Sequence, residues 1–180
     1  MLQDATLTER PAEAKRSIEI HRFNDAKSQV EAGLNRYSTP QSVNDTMAGL
    51  AAVGLREGFT SRCLYRSPDP DGFLLMHGWF KSNTIIPPHS HDTDCLYYVI
   101  SGAISMGDQT LGSGDVLFVP ANAVYSFFMG PEGAQFLEFR DVSDFDTNIR
   151  PGAPSFWDRM KGVVEANREN WRTETPPRSV

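Results

Sequence analysis

Between Phe59 and Arg140 the chain is built from short apolar runs cut apart by turn residues, and this texture restricts its fold more than any other feature. The runs are "FTSRCLYRS", "GFLLMHGWFK", "CLYYVIS", "DVLFVP", "VYSFFM" and "QFLEFR". The breakers between them are "SPDPDG", "IIPPHSH", "MGDQ", "GSGD", "PAN" and "GPEG". Each run has strand length and is rich in aromatic and β-branched residues, and each breaker supplies the Gly, Pro, Asn or Asp that a turn needs. Regularly spaced short strands predict an all-β sandwich or barrel.

The flanks read differently. Residues 1–56 are polar and Ala-rich, with Ile20, Phe23, Ala26, Val30 and Leu34 at helical spacing, which predicts one or two short helices in an N-terminal arm. Residues 57–141 hold the barrel. Residues 142–180 open with a polar connector ending in "RPGAP". Ser155 and Asp158 then suggest a capping box, and Phe156, Met160, Val163, Val164 and Trp171 form an apolar stripe, so a docked C-terminal helix is predicted. A length of 180 residues suits one domain with such extensions.

A net charge of −6 with no basic stripe argues against nucleic acid, which is bound by clustered Lys and Arg. The start lacks the apolar core of a secretion signal, and no run reaches the ~18 apolar residues of a spanning helix, so no membrane association and a cytoplasmic address are expected. Two cysteines, Cys63 and Cys95, suit a reducing compartment as free thiols.

His89 and His91 are the chemically loaded pair. On a strand they point the same way, ~7 Å apart along the backbone, and can converge on one ion. Cys95, four residues on, reaches the same point if the chain turns back, and Tyr125 would come from a facing strand. Two imidazoles suit zinc, copper, iron or nickel, and a thiolate shifts the preference toward softer ions. Tyr125 is the poorer ligand because its phenol must lose a proton, so a hydrogen bond to substrate is its expected role. His77 is expected as a buried, hydrogen-bonded histidine. By parity with Cys95, Tyr97 and Val99 face the cavity, and Phe127 joins them in parity with Tyr125. Leu96, Tyr98 and Ile100 face outward yet are apolar too. A strand apolar on both faces is covered on both. The cover is the N-terminal arm, the C-terminal helix or a second subunit, and a homodimer is expected. Glu138 reads as a partner for Arg140, and Asp92 and Asp94 read as turn residues.

The stretches "HSHDTDCLYYVISG" and "GDVLFVPANAVYSFFM" resemble the two motifs of the cupin superfamily, whose fold is a double-stranded β-helix, or jelly-roll barrel. In the first motif His89 and His91 match the histidine pair, Cys95 stands at the glutamate, Gly102 closes the motif and Asn83 stands at the opening glycine. In the second, Gly114 and Pro120 match, Asn122 replaces a glycine, Tyr125 stands at the histidine and Met129 at the last asparagine. The resemblance spans about Leu64 to Arg140. It implies a cupin barrel that binds a small molecule, with His89, His91 and Cys95 as ligands to a divalent transition metal (iron, zinc, nickel or manganese), Tyr125 as the catalytic residue, and dioxygenase or isomerase chemistry. The lost motif residues leave a second reading open, a metal-free cupin that binds or senses a small ligand without catalysis. Some thiol dioxygenases among the cupins also carry cysteine at the position of Cys95, but they keep the histidine that Tyr125 replaces.

Overall fold

A computed structural model of the chain describes residues 17–34 and 36–177. The first sixteen residues of the predicted arm, Asn35 and the last three residues lie outside the described residues. In chain order come β1 (Lys27–Ser28), β2 (Arg36–Tyr37), α1 (Gln41–Ala52), β3 (Phe59–Arg66), β4 (Leu74–Phe80), β5 (Ile85–Ser90), β6 (Cys95–Met106), β7 (Gln109–Leu111), β8 (Val116–Val119), β9 (Tyr125–Arg140), β10 (Asp146–Ile149) and α2 (Pro154–Thr173). The strands form one curled, mixed sheet in the order β1-β3-β4-β9-β5-β10-β2, with β6 joined to β7, β8 and β9. The predicted all-β barrel with short helical flanks is therefore the observed architecture.

The long strand β9 organises the sheet. Its first half pairs with β5, where Tyr125 stands opposite His89 and Phe127 opposite Ile86. Its second half pairs with β4, from Phe80–Ala134 to Leu74–Arg140. On its other side β6 runs antiparallel along both halves, from Leu96–Phe139 to Ser105–Phe128. The "GPEG" stretch thus bends one strand and does not separate two. Gly102 and Gly133 make the bend possible: Gly102 has φ +77°, and a Cβ there would sit 2.0 Å from the Gly133 carbonyl oxygen. Only glycine fits so close a backbone approach.

"IIPPHSH" is also no breaker. Ile85 and Ile86 pair with β9, the register shifts before His89, and Pro87 and Pro88 lie in that shift, where a missing N–H costs the ladder nothing. Asn83 and Asn122 stand where the motifs carry glycine, and both have positive φ, +58° and +64°. Asn tolerates this left-handed backbone better than other side-chain-bearing residues, so the turn geometry outlives the glycine.

The flanks correct the sequence reading in detail. The stripe from Ile20 to Leu34 makes no α-helix; it forms a short 3-10 turn at Phe23–Asp25, then β1, which pairs with β3. Ile20 and Val30 are exposed and Leu34 alone of the stripe is fully buried, so pairing with the free edge of β3 overrides the helical spacing. The arm's helix is α1, which buries Val43 and Leu50. The capping box is absent as well. α2 begins with Pro154 in its first turn after Ala153, with no side-chain cap, and Pro is already set for that position. The stripe of α2 does dock: Met160, Val164 and Trp171 are buried with Leu50, Leu55 and Ile85. Among the described residues no helix is long and apolar enough to cross a membrane.

Candidate functional site

β6 and β9 supply most of the barrel interior. Cys95, Tyr97, Val99, Ile104, Tyr125, Phe127, Met129 and Phe136 form one buried cluster, so the parity argument for Tyr97, Val99, Tyr125 and Phe127 describes what the fold brings together. The Tyr97 and Tyr125 hydroxyls share a hydrogen bond of 2.7 Å. Burial, then the nearby Glu138 charge, pushes the Tyr125 phenol well above its ordinary range, and burial does the same to Tyr97. Both phenols therefore keep their protons. One hydroxyl donates to the other, and the donor of the pair is fixed while its partner's proton is left to point elsewhere.

The two histidines close one end of this cluster. His89 lies in β5, and His91 lies one residue past its end, so they do not share a regular strand. Their rings still meet, with centroids 5.0 Å apart, and Tyr125 is 4.2 Å from His89 and 6.1 Å from His91 by the same measure. Each imidazole is held by a backbone carbonyl: His89 Nδ1 donates to the Pro87 oxygen at 2.8 Å and His91 Nδ1 to the Asp146 oxygen at 2.7 Å. A carbonyl only accepts, so both Nδ1 atoms carry the hydrogen and both Nε2 atoms carry a lone pair. Burial lowers both imidazoles, His89 to about 4 and His91 in the same direction, which keeps the pair neutral at pH 7.

Glu138 and Arg140 stand beside them. Within "QFLEFR" the strand period puts Phe136, Glu138 and Arg140 on one face, the inner one. Arg140 is 1% exposed. Its Nε and Nη2 donate to Glu138 Oε1 at 2.9 and 2.6 Å, and its Nη1 donates to Thr93 Oγ1 at 2.8 Å. The Phe145 ring lies 4.1 Å from the guanidinium carbon and 5.2 Å, edge-on, from His91. Burial alone would raise the Glu138 carboxyl, but the Arg140 guanidinium brings it below its ordinary value, so the cluster holds an ionised carboxylate. The expected pairing of Glu138 with Arg140 is present. Its location inside the barrel, with Thr93 and Phe145 around it, was readable in part from that parity, whereas Thr93 and Phe145 come from loops that carry no periodic signal.

Cys95 belongs to the same buried group. Burial, then Glu138, raises its thiol well above the ordinary cysteine range. His77 lies on the opposite face of the sheet, opposite Leu137 and Arg62 and edge-on to Phe23 at 5.0 Å, away from His89 and His91. Asp94 caps a turn by accepting from Ala121 N, and Asp92 accepts from Asp146 N. Two cavities, of about 480 and 400 Å³, lie away from the two histidines, one along α2 with Met129 in its wall and one beneath the N-terminal segment.

The donor chemistry decides how well a metal ion fits. Two Nε2 lone pairs set by Nδ1–H anchors are the arrangement a metal-binding histidine adopts. They fit an ion at two positions. Among the described residues no three His, Cys, Asp or Glu side chains gather as a ligand group. The neighbouring carboxylate of Glu138 is already neutralised by Arg140.

No protein-family model matches the chain, and no curated protein matches it. Solved structures do. The polyketide cyclase RemF from Streptomyces resistomycificus is 19% identical, with TM-score 0.53 over 84% of this chain and 97% of that one. An RmlC-like cupin from Shewanella frigidimarina is 18% identical, with TM-score 0.41 over 56% and 82%. A cupin superfamily protein from Desulfitobacterium hafniense is 24% identical, with TM-score 0.39 over 48% and 78%. The likeness to RemF over most of both chains shows a shared fold, a β-barrel of the kind the cupin resemblance implies. At this identity the likeness speaks to the fold alone, and the chemistry has to be argued from the cluster inside the barrel.

Proposed function

We propose that the cupin barrel binds a small molecule at the cluster formed by His89, His91, Tyr97, Tyr125 and Phe127, and that the two Nε2 atoms hold a divalent transition-metal ion, as in a metal-dependent dioxygenase or isomerase. The observation that carries this reading is the pair of anchored imidazoles, each neutral and each fixed with its lone pair free. When bound, such an ion polarises an oxygen of a chelating substrate or activates dioxygen. The chain's own groups do the rest. Tyr125, protonated and steadied by Tyr97, donates a hydrogen bond to a substrate oxygen. Val99 and Phe127 exclude water from one side. Glu138, held ionised by Arg140, sets a fixed negative charge beside the imidazoles. Cys95 completes the ligand set only if the ion itself removes the thiol proton.

A specific observation supports the second reading, a metal-free ligand-binding cupin. Arg140 is the second cause, after burial, that keeps His91 neutral, and its charge works equally against a cation at the imidazoles. Under either reading the protein is proposed to be a homodimer in the reducing cytoplasm, which suits the free thiols of Cys63 and Cys95. Metal analysis by plasma mass spectrometry separates the two. Protein produced with iron, zinc, nickel and manganese supplied should carry about one ion per chain. A chain that carries none under all four supplies is the metal-free cupin.

A further inference from the structure

The outer face of the sheet carries an apolar surface that the described residues leave bare. Directly opposed residues share a face, and the register sets Phe118 opposite Leu96, Leu96 opposite Phe139, Phe139 opposite Leu75 and Leu75 opposite Tyr65. This uncharged row crosses five strands, about 19 Å at the usual strand spacing. The next row begins with Val116, Tyr98 and Leu137. Leu96, Tyr98, Val116, Phe118 and Phe139 are 40–56% exposed, and Phe73, beside Phe139 and Tyr65, is 47% exposed.

Both ends of the described chain approach this face and stop short. Phe23 covers the far end of the second row, packing on His77 and beneath the Arg62 guanidinium. At the other margin Ser101 Oγ and Gln135 Nε2 both donate to the Pro177 oxygen at 3.0 Å. The helix α2 packs elsewhere, against Ile85 and Leu55.

We infer that a second copy of this chain covers the face, sheet against sheet, centred on Leu96, Tyr98, Val116 and Phe118. The inference rests on the homodimer reading above and names its surface. Aromatic side chains carry about 150–250 Å² each, so these half-exposed residues present several hundred Å². That matches the largest apolar patch a monomer leaves bare, about 300–600 Å², and would form the apolar centre of the ~800 Å² each partner gives to a stable interface. Charge selects the occupant. Two copies of a chain with net charge −6 repel on average, and a contact through these rows, uncharged from β8 to β9, brings no like charges together. A basic partner would need acidic residues there, and the rows offer none.

Sedimentation velocity on the full chain tests this. The wild type should sediment at twice 20.1 kDa at micromolar concentration. Tyr98→Asp combined with Phe118→Asp should sediment as a monomer with unchanged circular dichroism, whereas Val30→Asp, at an exposed site in the arm, should stay dimeric. A monomeric wild type overturns both the homodimer and its surface. A dimeric wild type whose double variant is also dimeric overturns the surface alone. If the double variant fails to fold, Phe118→Ser replaces it and should weaken the dimer at least tenfold. Amide exchange of the wild type at low and high concentration then decides independently: slowing should concentrate in residues 96–98 and 116–118, and slowing confined elsewhere overturns the surface.

Discussion

β6 shows two different uses of apolar residues on one strand. Cys95, Tyr97 and Val99 point inward and are 1–4% exposed, whereas Leu96 and Tyr98 point outward at 41% and 46%. The inner row is packed among groups whose protonation is displaced by burial, including His89, Tyr125 and Glu138. The outer row instead faces Phe118, Phe139 and Leu137 across its neighbouring strands. The same composition therefore serves a reactive interior on one side and a sticky surface on the other, and hydrophobicity alone does not tell them apart. What separates them is whether polar groups are trapped alongside.

The largest test of this contrast removes half of the trapped ion pair. Arg140→Met leaves the Glu138 carboxylate buried without a counter-charge, which should cost about 3–5 kcal/mol in urea unfolding. Adding Glu138→Gln should restore much of that loss. A single Arg140→Met variant as stable as wild type would mean the pair is solvated and the interior is wetter than described.

Ring truncation compares the two faces directly. Phe127→Ala, at a site 1% exposed, should cost about 3–5 kcal/mol, while Phe118→Ala, at 56% exposed, should change the stability of the monomer by well under half of that. Equal losses would contradict the assignment of the faces.

A smaller effect is expected from pH. Burial and the neighbouring His91 hold His89 at about 4, so the unfolded chain takes up a proton that the folded chain refuses. The His89 contribution is full above about pH 6.5, the ordinary histidine value. It is lost as the pH falls from there to about 4, a decline of about 3 kcal/mol for the metal-free protein. Urea midpoints measured across this range should fall toward acid, and His89→Gln should flatten the curve. The smallest effect is expected at Asn122, where φ is already positive: Asn122→Gly should shift stability by less than about 1 kcal/mol, and Asn122→Val should cost more.

Much of this was legible in the chain. Period-two alternation in "CLYYVIS" placed Tyr97 and Val99 correctly, because a strand leaves its side chains no third direction, and the charges of "QFLEFR" paired Glu138 with Arg140 without revealing that the pair is buried. The paired histidines announced where the polar end of the cluster lies. What failed had tertiary causes. "GPEG" and "IIPPHSH" carry turn residues, yet neighbouring strands hold them within β9 and β5, and the stripe from Ile20 to Leu34 was drawn into the edge of β3. Phe145 and Thr93 reach Arg140 from loops, which no periodicity reports. His91 reached the cluster from beyond the strand through its bond to Asp146 O, a contact between residues far apart in sequence.

Titration of the stripped protein with cobalt(II), followed by its visible absorption, tests the central claim most directly, because it sets the inner histidines against the outer one. Wild type and His77→Ala should bind one equivalent with the same affinity, while His89→Ala and His91→Ala should each lose at least tenfold in affinity and keep the wild-type circular dichroism. Cys95→Ser should weaken binding less than either. If wild type takes up no cobalt, or if His89→Ala and His91→Ala bind as tightly as His77→Ala, the anchored imidazoles are not a metal site.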